Sequence, residues 1–293
     1  MRQGVVFVAL IVAAAFASGC GGDRVAENTE STAAPMREVK VTLDGSLSPA
    51  NAAVQVAIRE GYFADVGLVV SVATPLAPRR PVTYVSNSTD DIGLTQEPQL
   101  ALAKEKGAPL VAVGSLISQP TAAMIWLKKS KIRGIADLAG KTIAVPGIPY
   151  QEDLLESVLG RAGLEVGDVD VRHAPYELVP TLLEGKADAI FGGSWNIEGI
   201  ALRERGAKPV IRRVQELGIP PYGELVVIAR SDWATKESTT IRNFMAALSR
   251  ATALISKDPE AAVEAIEEIT VATPRAELEA QAKATAPLLS TGG

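Results

Sequence analysis

The sequence predicts an α/β protein of two similar lobes that close on each other as a clamshell, each lobe a mostly parallel sheet flanked by helices. Three observations predict it. From Val39 onward, short apolar runs alternate with helix-like stretches; the alternation restarts near Thr142; and one segment of the first half is echoed in the second. A βαβα rhythm is the pattern of a parallel sheet with helices on both faces, and its restart implies a second lobe.

The chain opens on a leader. Met1-Arg2 supply a positive charge, and residues 5–16 form an apolar run. That run is shorter than the roughly 20 residues a membrane-spanning helix needs. Ala17-Ser18-Gly19-Cys20 follow, and charge, length and small-residue ending together make residues 1–20 a signal peptide. The ending resembles the bacterial lipobox, although Ala17 stands where Leu is commoner. The resemblance implies lipidation of Cys20, the single cysteine of the chain. Residues 21–36 then read as a flexible tether. Since no later stretch is long and apolar enough to span a bilayer, the expected mature protein is extracytoplasmic, lipid-anchored to the cell membrane and monomeric.

In the folded part, residues 39–43 suit a buried strand, and residues 52–60 a helix that stops at Gly61. Residues 68–73 read as a strand, 100–106 as a helix ending at Gly107, and 110–115 as a strand. The second round has strands at 142–145, 169–172 and 187–191, with helices at 151–161 and 178–183. After Tyr222 comes a strong strand at 225–229, then three helical segments. In the first of these, Ile241, Phe244, Met245, Leu248, Thr252 and Ile255 share one stripe. Asp258-Pro259 and Thr273-Pro274 look like starts of the next two. The internal echo pairs residues 86–93 with 184–191, each a turn, an Asp and a short strand whose end points to the crevice of an open sheet. The chain is expected to cross between lobes near 118–123 and to return near 222–226. That gives a first lobe of 37–119 plus 225–293 and a second of 120–224.

Composition removes several function classes. The net charge is −5, which does not suit a nucleic-acid partner. One cysteine and one histidine leave no disulfide framework, no Cys-based zinc site and no His cluster, so neither a metal nor a cofactor is expected. His173 stands at a strand end running into a loop, a structural or surface position, and no catalytic residue is assigned. Gly140-Lys141-Thr142 falls short of a phosphate loop because it precedes a strand instead of following one. Lys128-Lys129-Ser130-Lys131 reads as a solvated face.

Several segments appear in a telling order. They are Gly61-Tyr62-Phe63 with Gly67-Leu68, Asp137-Leu138-Ala139-Gly140-Lys141-Thr142-Ile143, Glu184-Gly185-Lys186-Ala187-Asp188-Ala189, and Gly218-Ile219-Pro220-Pro221-Tyr222-Gly223-Glu224-Leu225. With them the chain resembles the SsuA/THI5-like (NMT1/THI5) family of binding proteins. The resemblance implies a periplasmic-binding-protein-like (type II) clamshell. It further implies a solute-binding protein, not an enzyme, working with the permease and ATPase subunits of an ABC importer. Asn196-Ile197-Glu198 and Pro221-Tyr222-Gly223-Glu224-Leu225 look most like the binders of thiamine precursors, the formylaminopyrimidines. One departure is plain: where such binders show a Trp, then Pro-Asn, then a His, this chain has Gly45, Leu47-Ser48 and Asn51.

A planar aminopyrimidine asks for an aromatic face and directed hydrogen bonds. Trp195 after Gly192-Gly193-Ser194, Tyr222 near the return crossing and Tyr150 before a helix are the candidate walls. Glu198 and Asn196 are the candidate hydrogen-bonding groups, with Gln96 and Asn51 facing them from the first lobe. Each has a plainer reading as a core residue, a first-turn acid or a turn residue. The alternative ligands for the same fold are a sulfonate, nitrate or riboflavin. A sensor or adhesion role without a transporter uses the same clamshell, and a THI5-like pyrimidine synthase is the remote enzymatic alternative.

Overall fold

The structure is a computed structural model that describes residues 36–74 and 80–291. The expected signal peptide, Cys20 and all but the last residue of the tether lie outside the described residues.

The first sheet is assembled from β1 (Arg37–Thr42), β2 (Leu68–Ala73), β3 (Ile92–Thr95), β4 (Leu110–Ile117) and β10 (Leu225–Arg230), in the order β2-β1-β3-β10-β4. The second holds β5 (Ala122–Leu127), β6 (Thr142–Val145), β7 (Asp170–His173), β8 (Ala189–Ser194) and β9 (Pro209–Arg213), in the order β7-β6-β8-β5-β9. Helices α1 (Ala53–Arg59), α2 (Arg80–Ser86) and α3 (Glu97–Glu105) connect strands of the first sheet. Helices α4 (Pro149–Arg161), α5 (Leu178–Leu183) and α6 (Glu198–Glu204) connect strands of the second. After β10 come α7 (Ser231–Lys236), α8 (Ser238–Lys257), α9 (Glu260–Ile266) and α10 (Arg275–Thr285), four helices where the sequence predicts three.

The two strand orders match position for position. In each sheet the third strand, β3 or β8, carries the segment echoed in the sequence. Each sheet is parallel except at one strand. β1 is parallel to β2 and β3, and β6 to β7 and β8, whereas β10 runs antiparallel to β3 and β4, and β5 to β8 and β9. The reason is geometric. The other strands end at the crevice, as open α/β sheets require. β5 and β10 are the strands that enter their sheets after the chain has crossed from the other lobe. Coming from the crevice, they must run away from it.

Burial explains which segments became strands. All six residues of β5 are buried. Its side chains alternate between two cores: Met124 and Trp126 pack with Leu155 and Phe191, whereas Ile125 and Leu127 pack with Leu178 and Leu202. A strand covered on both faces needs no polar alternation. In the first lobe, the stripe of α8 buries Ile241, Phe244, Leu248, Thr252 and Ile255, with Met245 partly buried, as helical periodicity predicts. Phe244 stacks on Phe63 with ring centroids 4.9 Å apart. Pro259 and Pro274 each sit one residue before their helix, and Asp258 Oδ1 accepts a bond from the Glu260 amide at 3.2 Å.

Candidate ligand-binding cleft

The strand ends of both sheets converge on a cavity of about 360 Å³. That lies at the small end of the range for small-molecule sites, roughly 300–1,000 Å³. The loop after β1 contributes Asp44, Gly45 and Asn51, and the loop after β3 contributes Gln96. The second lobe contributes Gln151, Tyr176, Ser194 and Glu198, the return crossing just before β10 contributes Glu224, and α10 contributes Glu277 and Gln281.

Four carboxylates line the cavity: Asp44, Glu198, Glu224 and Glu277. The only cationic side chain of that wall among the described residues, Arg205, is paired with Glu277, its Nε 3.3 Å from Oε2. Burial pushes the carboxyls of Asp44 and Glu198 above the usual range. Burial also raises Glu224 to about 7, even though the amides of Thr121 and Ala122 favour its ionised form. Glu224 Oε2 accepts the Thr121 amide at 2.6 Å and the Ala122 amide at 3.4 Å. Those amides lie where the chain leaves the first lobe, and Glu224 where it returns, so one carboxyl ties both crossings.

Three predicted site residues lie in the cavity wall. Glu198 is turned back so that Oε2 accepts the Ser194 amide at 2.6 Å. This is the first-turn acid of the plainer reading, and it faces the cavity as well. Gln96 is 7% exposed, and its Oε1 is buried with no hydrogen-bond partner. Asn51 organises its own loop: Nδ2 donates to Asp44 Oδ1 at 2.9 Å and to the Ser46 carbonyl at 3.1 Å, and Oδ1 accepts the Ser48 amide at 3.0 Å.

The other four lie behind that wall. Trp195 packs beside Ala123 and Leu178, with the Arg213 guanidinium over its ring at 3.9 Å. The tight turn after β8 aims the ring into the second lobe instead of the crevice. Asn196 is fully buried and donates to Thr285 Oγ1 at 2.8 Å, a bond to α10. Tyr150 and Tyr222 pack edge to face, with centroids 6.1 Å apart, and burial raises both phenols. Between Tyr150 and the cavity stands Gln151, whose Nε2 donates to the Tyr150 hydroxyl and the Gly192 carbonyl, both at 3.2 Å. Gly192 has φ +86°, and a Cβ there would lie 2.3 Å from Gln151 Oε1. The glycine thus makes room for the Gln151 side chain.

Asp44, Gln151, Tyr176, Glu224 and Glu277 line the cavity without having been assigned from sequence. A signal existed for Glu224, which lies in the quoted Gly218-to-Leu225 segment. Glu277 gave none, because α10 reads only as a closing helix. His173 ends β7 on the surface, Nε2 3.3 Å from Glu152 Oε1.

The family model described as NMT1/THI5 like matches residues 48–262. A Haemophilus influenzae protein named for thiamine biosynthesis is 32% identical over 228 residues, 78% of this chain and 72% of its own length. The formylaminopyrimidine-binding protein of Halalkalibacterium halodurans is 28% identical over 256 residues, 87% of this chain and 76% of its own. Fungal 4-amino-5-hydroxymethyl-2-methylpyrimidine phosphate synthases match at 24–25% identity. The crystal structure of the periplasmic aliphatic sulphonate binding protein SsuA from Escherichia coli superposes with a TM-score of 0.71 at 19% identity, covering 87% of this chain and 85% of that one.

Proposed function

Because the chain belongs to the NMT1/THI5-like family, whose model spans residues 48–262, we propose that it captures a thiamine-related aminopyrimidine outside the cell and presents it to an importer. The observation that carries this reading is the charge of the cleft. Among the described residues four carboxylates face the cavity, and the one cationic side chain is already engaged with one of them. A sulfonate or nitrate would meet buried carboxyl groups there and, among the described residues, no cationic side chain that is not already paired. A ring bearing amino groups meets acceptors at Asp44, Glu198 and Glu224, and an unpaired amide oxygen at Gln96. The two lobes close on the ligand, whose differential affinity for the closed state shifts the equilibrium. The closed form docks on permease and ATPase subunits, and acylated Cys20 holds the protein at the membrane.

The synthase reading is supported by the fungal relatives. Here the single histidine sits on the surface against Glu152 and the single cysteine is Cys20, so capture without turnover is the activity we expect.

A thermal-shift screen of the purified protein decides between the ligands, with formylaminopyrimidine, hydroxymethylpyrimidine, thiamine, riboflavin, taurine and nitrate as the panel. A true ligand at about 100 times its Kd stabilises by about 2.7 kcal/mol. Glu198→Ala is expected to weaken pyrimidine binding about tenfold, as for loss of a hydrogen bond to a charged group. Trp195→Ala, which lies behind the wall, should lower stability and leave affinity nearly unchanged. A shift with taurine and none with the pyrimidines would overturn the proposal.

A further inference from the structure

The cleft has an aromatic face that the sequence motifs do not mark. Trp195, Tyr150 and Tyr222 stand behind the cavity wall. Tyr176 is the only aromatic side chain in that wall among the described residues. It is carried by the loop between β7 and α5 in the second lobe, and it remains 43% exposed at the cleft. Its Cε1 lies 3.7 Å from where a Cβ on Gly45 would stand, and Gly45 belongs to the loop after β1 in the first lobe. The ring therefore reaches across the crevice to the opposite lobe.

The backbone beneath it is unusual. Tyr176 has φ +65°, the left-handed region that costs a bulky residue energy. Glycine would adopt it freely. Strain of this kind persists where a side chain is needed in one place. A large ring, half exposed, on a strained backbone and facing the cavity fits a surface kept for stacking better than one kept for packing. Gly45 fits the same picture: an added methyl would only touch the ring, whereas a longer side chain would enter its place.

We infer that Tyr176 is the stacking face for a flat ring held in the cleft and that Gly45 is the clearance it needs. This rests on the aminopyrimidine reading for the identity of the ring, though not for its flatness. Asp44, on the facing loop, adds an acceptor in the same cavity.

Calorimetric titration of the intact protein and of four variants tests the inference, with formylaminopyrimidine, thiamine, riboflavin and taurine as probes. Tyr176→Ala is expected to lose about tenfold in affinity for the flat ligand, and Tyr176→Phe to keep most of it, since stacking needs the ring and not the hydroxyl. Gly45→Leu should resemble Tyr176→Ala, having displaced the ring. Tyr176→Gly should lose the same affinity for the flat ligand while its circular dichroism stays that of the folded protein. If formylaminopyrimidine binds and Tyr176→Ala changes nothing, the inference falls and the proposed function stands. If riboflavin binds in place of formylaminopyrimidine and thiamine, and Tyr176→Ala abolishes it, the proposed function falls and the inference stands. Binding of taurine alone, or of none of the four probes, overturns both.

Discussion

At the scale of single residues, the clearest consequence belongs to Glu224. Its carboxyl is raised by burial from 4.5 to about 7. A carboxyl raised in the folded state holds its proton more tightly there than in the unfolded chain. Its contribution is therefore fully present below the unfolded pKa and is lost as pH climbs from about 4.5 through about 7. The displacement corresponds to about 3 kcal/mol at most. Asp44 and Glu198, also raised by burial, act with the same sign. Glu224→Gln keeps an oxygen for the Thr121 amide and removes the titration. The drop in melting temperature between pH 5 and pH 8, read by calorimetry, should therefore shrink in this variant; an undiminished drop would mean that Glu224 does not titrate in that window. How much of the site was legible divides at this scale too. Glu198, Gln96 and Asn51 sit at strand ends and helix starts, where topology alone points them to the crevice. Trp195 and Asn196 share that segment and turn away, because the direction of a side chain within a tight turn depends on packing partners such as Arg213 and Thr285, far off in sequence.

At the scale of elements, α10 carries a role its sequence does not announce. One of its faces joins the first-lobe core through Leu278 and Ala282. The other meets the second lobe at α6. Glu277 takes Arg205, Gln281 Nε2 donates to the Ile197 carbonyl at 3.4 Å, and Thr285 takes Asn196. This is a clasp between lobes on the wall of the cleft. Glu277 is 3% exposed, so removing its partner strands a buried carboxylate. Breaking a buried pair costs about 3–5 kcal/mol; Arg205 is partly solvated, which brings the expectation down to about 1–2 kcal/mol. Arg205→Ala combined with Asn196→Ala should therefore open the unliganded protein, raising its radius of gyration in small-angle scattering. An unchanged radius would mean the clasp does not set closure. Elements with strong local signals were read well: residues 142–145 and 178–183 match β6 and α5 end to end. β9 was missed because Pro209-Val210-Ile211-Arg212-Arg213 carries too short an apolar run and lies at a sheet edge. β5 was not read as a strand: its first two residues fell within the crossing expected near 118–123, and the rest went unassigned.

At the scale of the whole molecule, the two sheets are built alike but connected differently. All strands of the second sheet come from one unbroken stretch, Ala122 to Arg213, whereas the first must recruit β10 after that stretch is complete. The second lobe can therefore form from local contacts, and the first must close a long loop before β10 pairs with β3 and β4. Among the described residues, what joins the lobes is largely polar, with the Glu224 bonds at the crossings and the α10 clasp, beside the Tyr176 ring that reaches Gly45. Interfaces of that kind couple domains weakly, and two-state unfolding is not expected of weakly coupled domains. The tryptophans make this measurable. Trp126 is fully buried in the second-lobe core and Trp195 packs there too, whereas Trp233 packs against the first-lobe core. In Trp233→Phe, fluorescence reports the second lobe alone, and circular dichroism of the same sample reports both. Without ligand, the two urea curves should have different midpoints. A ligand that touches both lobes must be released before either unfolds, so at about 100 times Kd it adds about 2.7 kcal/mol to their joint stability. The midpoints should then rise and converge. Curves that already coincide without ligand would mean that the lobes are one cooperative unit, and that ligand energy is not what couples them.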